Sequence, residues 1–253
     1  MNDMVLISKK METLRLKGMS ATCRERLDAA QKEHWSYSDL LDTLLTDEVE
    51  KRNHLQLSRR LAKSMLNQHK TLETFDFRFN LKIHAEVVRE LACCNFINEA
   101  KNVFFIGPSG VGKSHLASGL GHEACRRGFD VLYYRTHKLS EWINTGRGDG
   151  SHKRRIDQII KIPLLILDDF GLQSLSAPQQ DDLYEVICGR YETGSLIITS
   201  NRDLSEWGGV FDNSLIASAA MDRLVHRGIE IVIEGQSYRI DQFRKNCFQK
   251  KEG

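Results

Sequence analysis

Proline is scarce: the 253-residue chain has three, Pro108, Pro163 and Pro178, all beyond its first hundred residues. The first hundred residues therefore contain no obligatory helix breaker and read as helical. The six cysteines (Cys23, Cys93, Cys94, Cys125, Cys188, Cys247) include no Cys-x-x-Cys pair. That removes the usual metal and redox spacings and leaves reduced thiols in a cytoplasmic protein as the expectation. No run reaches the about 18 apolar residues of a membrane span. Met1 to Lys10 also lacks the apolar core of a secretory signal. Net charge is only +2, so bulk charge selects no partner. No Asn-Lys-x-Asp guanine motif occurs, which argues against a GTPase. No internal repeat or low-complexity tract is present.

Apolar residues make up 41% and charged residues 28%, enough for one packed domain with a small appendage. Leu40, Leu41, Leu44, Leu45 and Val49 recur at helical spacing, with Ser36 or Ser38 placed to cap. Leu57, Leu61 and Met65 continue the stripe. A segment from Met11 to Leu27 is also helix-like, interrupted at Gly18. Charge is segregated: His34 to Glu50 holds five acids and no Lys or Arg. Lys51 to Leu72 holds Lys51, Arg52, Arg59, Arg60, Lys63 and Lys70 and no acid. A solvated helix face and a phosphate-binding surface for double-stranded DNA both fit this block. A second basic patch, Lys153, Arg154 and Arg155, follows the Gly-rich stretch Thr145 to Ser151 and has the same two readings. No aromatic is interleaved, so base stacking is not expected.

Beyond an extended connector (Leu72 to Asn80) and a helix (Ile83 to Phe96), the pattern changes to short apolar runs alternating with helical ones. Strands are expected at Val103–Ile106, Val131–Tyr134, Leu164–Leu167, Ser195–Thr199 and Ile229–Ile233. Helices are expected at Ser114–Arg127, Leu139–Asn144 and Gln179–Glu192. This alternation predicts an α/β domain with a parallel sheet flanked by helices, preceded by a small all-helical domain. The expected boundaries are 1–72 (helical), 73–98 (connector and helix) and 99–253 (α/β).

Gly107-Pro108-Ser109-Gly110-Val111-Gly112-Lys113-Ser114 matches G-x-x-x-x-G-K-S, between a buried strand and a helix. Glycines let backbone N–H groups converge on phosphates, and the helix N-terminus adds partial positive charge. Lys113 is assigned to the β- and γ-phosphates of ATP and Ser114 to Mg²⁺; His115 is counted with the nucleotide-binding residues. Leu164-Leu-Ile-Leu-Asp168-Asp169 supplies a buried strand ending in two acids. Asp168 is assigned to the metal through water, and Asp169 to orienting or deprotonating the attacking water. Asn201, after a further strand, is placed to hold that water or sense the γ-phosphate. Arg223 and Arg239 are candidates for stabilising transferred charge.

The combination resembles the IstB-type transposition helper ATPases of insertion sequences, in the AAA+ class beside the helicase loader DnaC and the initiator DnaA. The stretches carrying the resemblance include Leu14-Arg-Leu-Lys-Gly-Met19, Phe75-Asp-Phe77, Arg190-Tyr-Glu192, Thr199-Ser-Asn201, Ser205-Glu-Trp-Gly208, Asp222-Arg-Leu224 and Gly235-Gln-Ser-Tyr-Arg239. The resemblance implies that Asn201 is a first sensor, that Arg223 is an arginine finger serving a neighbouring subunit and that Arg239 is a second sensor. It also implies a homo-oligomer in a ring or helical assembly, a helical N-terminal region for DNA binding and assembly, and a cognate transposase as partner. A DnaC-like replicative helicase loader shares the core and is the nearest alternative.

One departure is informative. Many AAA+ proteins carry Asp-Glu at the strand end where this chain has Asp168-Asp169. The shorter carboxylate implies slow, partner-gated hydrolysis. Asp169→Glu is expected to raise turnover on the order of 10-fold with ATP affinity unchanged, recovering part of the roughly 10² to 10⁴-fold a well-placed base contributes. Phosphate release equal to wild type overturns this expectation.

Overall fold

The computed structural model describes residues 3–249. The chain divides into two compact units with the boundary between Arg59 and Arg60. This is earlier than the expected boundary at 72. Residues 60–72 belong with the α/β unit, where Leu72 and Leu66 pack against Gly119 and Gly121 on the helix that follows its first strand.

The first unit contains α1 (Asp3–Thr13), α2 (Lys17–Glu33) and most of α3 (Tyr37–Ser64). Met19, Cys23 and Leu44 form its buried centre, with Met4, Met11, Leu16, Leu27 and Leu40 around them. The helix break expected at Gly18 falls instead at Leu14 to Leu16, with Arg15 left-handed at φ 58°. Gly18 lies inside α2, where an added Cβ would sit 2.5 Å from the Asp47 carbonyl. It is glycine so that α2 can approach α3. The Glu48 carboxylate then accepts from the N–H groups of Gly18 (2.5 Å) and Met19 (3.1 Å), satisfying donors at the start of α2. Ser36 caps α3, its hydroxyl accepting from the Asp39 N–H at 3.2 Å. The apolar stripe on α3 is narrower than the sequence implied: Leu40 and Leu44 turn inward while Leu41, Leu45 and Val49 stay exposed.

The second unit takes in the end of α3 and continues with α4 (Ala85–Ala92) and α5 (Asn95–Asn98). The single helix expected over 83–96 is broken because Cys94 is left-handed (φ 61°), which turns Phe96 and Ile97 into the core. Residues 72–80 are not extended: they form successive turns, with the Arg78 N–H donating to the Asp76 carboxylate at 2.9 Å. The core elements follow as β1 (Asn102–Ile106), α6 (Lys113–Arg126), β2 (Val131–Arg135), α7 (Thr136–Thr145) and α8 (His152–Lys161). After these come β3 (Leu164–Asp168), α9 (Ala177–Arg190), β4 (Ser195–Ser200) and a 3₁₀ segment (Leu204–Val210). The last elements are α10 (Ser214–Val225), β5 (Gly228–Val232) and α11 (Tyr238–Gln249). The strands form one parallel sheet in the order β2-β3-β4-β1-β5. Helix α8, unforeseen in the sequence, carries the patch Lys153, Arg154 and Arg155.

Strand side chains alternate between two covered faces. Phe104, Ile106, Leu132, Leu165, Leu167, Leu196 and Ile198 face α7, α8, α9 and α10. The opposite face receives α6, whose Gly121 would place a Cβ 2.9 Å from Ile166 Cδ1. Trp207 is fully buried against Phe104 and Phe170, and its indole N–H donates to the Arg202 carbonyl at 3.1 Å. The Ser205-Glu-Trp-Gly208 stretch is thus a plug that fixes the chain leaving β4.

Arg190 is the most demanding buried group, at 1% exposure. Its guanidinium donates to the carbonyls of Ile159, Ile160, Ile162, Pro163 and Ser195, and so ties the end of α8 to the starts of β3 and β4. Removing it strands several buried acceptors at once. Arg190→Met is expected to cost about 3 kcal/mol and lower the thermal midpoint by about 10 °C. A calorimetric midpoint within about 2 °C of wild type refutes that assignment.

Candidate nucleotide site

The C-terminal ends of the strands converge on a cavity of about 310 Å³, lined by residues 109–115, Tyr133, Arg135, Asp168, Asp169, Asn201 and Arg239. Ligand sites in open parallel sheets lie at this edge. The loop after β1 curls tightly because Gly107, Gly110 and Gly112 have φ of 145°, 87° and 107°. These glycines also admit close neighbours. A Cβ on Gly107 would lie 2.0 Å from the Ile233 carbonyl oxygen, on Gly110 2.1 Å from Ser237 Oγ, and on Gly112 2.7 Å from the Phe75 ring. The cradle is therefore pressed from both sides, by chain before the core and chain after it.

Lys113 opens α6 and is 6% exposed. Its ammonium donates to the carbonyls of Gly107 (2.6 Å) and Pro108 (2.7 Å) and to Asn201 Oδ1 (2.6 Å). Burial pulls its pKa down to about 8, partly offset by Asp169 and Asp168. Asn201, at the end of β4, is thus in direct contact with the lysine of the glycine-rich loop.

Asp168 is buried at the end of β3. Its Oδ1 accepts from the Thr199 hydroxyl and its Oδ2 from the Tyr133 hydroxyl at 2.5 Å. Burial, reinforced by Asp168, holds the Tyr133 phenol above its ordinary pKa, so it remains a donor. Asp169 differs from its neighbour. It is left-handed (φ 57°), half-buried, and 3.9 Å from Arg135 Nε. Burial, with Asp168 beside it, raises its carboxyl pKa, which suits a proton acceptor more than a metal ligand. Ser114 follows Lys113 on α6 and lines the same cavity. A hydroxyl and a buried, oriented carboxylate are the hard oxygen donors Mg²⁺ takes alongside substrate phosphates. The described residues contain no cluster of three His, Cys, Asp or Glu that would make a self-contained metal cage.

Arg239, on α11, reaches the cradle, Nη2 donating to Ser109 Oγ at 3.1 Å, and the Tyr238 N–H donates to the Gly110 carbonyl at 3.0 Å. His115 lines the cavity, but its Nε2 lies 2.9 Å from the Thr71 carbonyl and 3.1 Å from the Thr74 hydroxyl. Burial lowers its pKa. Its contribution is to anchor the 71–75 turn to α6. Arg223 is elsewhere: on α10, its Nη1 donates to the Ala219 carbonyl at 2.8 Å and its guanidinium lies over Tyr184. It does not line the cavity of its own chain.

Sequence reasoning missed the wall opposite the cradle. Phe75, Phe79, Asn80 and Tyr238 line the cavity, with Phe79 and Tyr238 edge to face at 4.9 Å. It also missed Tyr133. Period two along β2 separates Tyr133 and Arg135 from Leu132 and Tyr134, a signal that becomes informative once the strand order is known.

The basic residues divide by their partners. Arg155 is spent on a local tie to Trp142, Thr145 and Asp149. Lys153 pairs with Glu185 and Asp157 at an exposed position, and Arg154 is exposed. Along α3, Lys51, Arg52, Arg59 and Lys63 are exposed, and Arg52 pairs with Glu48 at 2.7 Å. Arg60 is half-buried, 3.5 Å from Asp130. No helix among the described residues is long and apolar enough to cross a membrane.

Comparison with known proteins agrees with this geometry. The profile of a family described as IstB-like ATP binding protein matches residues 9–246. An insertion-sequence ATP-binding protein of Mycobacterium tuberculosis is 37% identical over 230 residues, covering 90% of this chain and 92% of that protein. The ATP-binding protein of insertion sequence IS21 from Pseudomonas aeruginosa is 34% identical over 241 residues, 95% and 89% of the two chains. Among solved structures, AMPPCP-bound DnaA from Aquifex aeolicus superposes with a TM-score of 0.58 at 25% identity, over 74% of this chain and 57% of that one. The DnaC helicase loader gives 0.57 at 22% identity, over 66% and 97%. The sheet and its helices are the AAA+ ATPase fold.

The Lys113 environment sets a pH dependence. Phosphates raise the lysine pKa above its value of about 8 in the free protein. Nucleotide affinity is therefore full below pH 8 and falls as pH rises through it, with proton uptake on binding above that point. Isothermal titration in two buffers of different ionisation enthalpy reads this directly. A flat affinity from pH 7 to about 9.5 overturns it.

Proposed function

The chain belongs to the IstB-like ATP-binding protein family, and from that premise we propose that it is an ATP-hydrolysing, DNA-binding switch in transposition. ATP binding promotes assembly on double-stranded DNA, the assembled form recruits or activates a cognate transposase, and hydrolysis releases the complex. The observation that carries the reading is the gathering of Lys113, Asp168, Asp169, Asn201 and Arg239 around one cavity that Arg223 does not reach. Five polar groups suited to hydrolysis line that cavity within the subunit, and a sixth, Arg223, is left to serve a neighbour.

In this mechanism the cradle amides and Lys113 hold the phosphates, and Arg239 fixes them from the C-terminal side. Ser114 and, through water, Asp168 would hold Mg²⁺, which would supply positive charge against the phosphates. Asp169 takes the proton of the attacking water, Asn201 orients that water, and Arg223 of an adjacent subunit stabilises the charge that develops. DNA binds largely through its phosphates, by Lys51, Arg52, Arg59, Arg60 and Lys63 along α3, with Lys153 and Arg154 contributing from α8 and Arg155 shaping that patch. Binding is salt-sensitive and weakly sequence-selective.

The test is ATP hydrolysis with and without duplex DNA, for wild type, Lys113→Ala and Arg223→Ala, alone and mixed. Duplex DNA is expected to raise wild-type turnover. Each variant alone loses on the order of 10³-fold, within the range an arginine finger supplies. An equal mixture recovers part of it, because a Lys113→Ala subunit lends its Arg223 to a partner able to bind ATP. Turnover indifferent to DNA and to Arg223 marks a monomeric P-loop enzyme instead. Preference for single strands together with capture of a replicative helicase marks the loader alternative.

A further inference from the structure

Both oxygens of Asp168 are engaged by hydroxyls. The Thr199 donor comes from β4 and the Tyr133 donor from β2, the strands on either side of β3. The carboxylate is therefore held between two jaws in the plane of the sheet. Thr199 is fully buried, and its oxygen also accepts from the Asp169 N–H at 3.2 Å, so the β4 jaw is part of the strand-end architecture. The β2 jaw has no such structural duty. Tyr133 stands on an edge strand, its register partner on β3 is Ile166, and a phenylalanine would fill the same space. What the hydroxyl adds is a 2.5 Å bond to Asp168 at the cavity wall, which Tyr133 also lines.

We infer that Tyr133 is a positioning residue for the cation site: its hydroxyl fixes the rotation of the Asp168 carboxylate and presents the remaining lone pairs to the cavity. Partners that orient a liganding carboxylate in this way control cation affinity without touching the cation. The inference rests on the ATP-binding reading above and adds to it a residue outside the nucleotide motifs. It also separates two neighbours on one strand. Tyr133 acts on Asp168, while Arg135, two residues on, approaches Asp169.

The experiment titrates Mg²⁺ into purified protein with a fluorescent ATP analogue and reads binding rather than turnover. For Tyr133→Phe the Mg²⁺ concentration at half-maximal binding is expected to rise roughly 10-fold, the lower end of what loss of an orienting partner costs. Binding of the same analogue in EDTA stays at the wild-type value. Thr199→Val, which removes the other jaw, moves the Mg²⁺ midpoint in the same direction. An unchanged midpoint in Tyr133→Phe overturns the inference, as does an equal loss of binding in EDTA, which assigns the residue to packing alone. Wild-type binding that ignores Mg²⁺ overturns the ATP-switch reading as well, so the two failures are distinguishable.

Discussion

The site is organised by the buried ammonium of Lys113. Taking that charge out of water is costly unless its donors are satisfied, and its oxygen partners are Gly107, Pro108 and Asn201. Two of them are carbonyls of its own loop, so the loop must curl back over the lysine, and only glycine accepts the backbone angles required. The third belongs to the end of β4, so the lysine also sews β1 to its neighbour strand. Phosphates arriving at this point, as proposed, would meet a cation already held in place. Their charge restores what burial has taken from its proton affinity.

The two carboxylates at the end of β3 show how one strand delivers opposite properties one residue apart. Asp168 continues the strand and is locked by hydroxyls from both flanking strands. Asp169 turns left-handed, emerges half-exposed, and has its proton affinity raised by burial beside its neighbour. Environment gives two carboxylates different properties where sequence shows a repeated residue.

Much of this was legible in the sequence because it is local. The Gly-x-x-x-x-Gly-Lys-Ser run, the apolar strand ending in Asp168 and Asn201 after β4 are short segments whose chemistry depends on neighbours in the chain. The five strands were recognised for the same reason, each within one residue at either end. What escaped is tertiary. Tyr133 became meaningful when β2 was placed beside β3. Arg190 reads as a surface arginine until three chain segments converge on it. Gly18 reads as a helix breaker, yet it sits where two helices touch. The 72–80 segment reads as extended because its aromatics alternate, while its turns are set by docking on α6 and the cradle.

The cradle is roofed by two stretches about 150 residues apart in sequence, with Phe75 to Asn80 meeting residues 233–239 over the glycines; the Asn80 side-chain amide donates to the Glu234 carbonyl at 2.7 Å. For a chain emerging from the ribosome this has a temporal meaning. The segments of all five strands, the last ending at Val232, are synthesised before residues 233–239, which close the pocket from its second side. A messenger cut short between the two encodes every strand yet omits Tyr238 and Arg239 from the cavity wall.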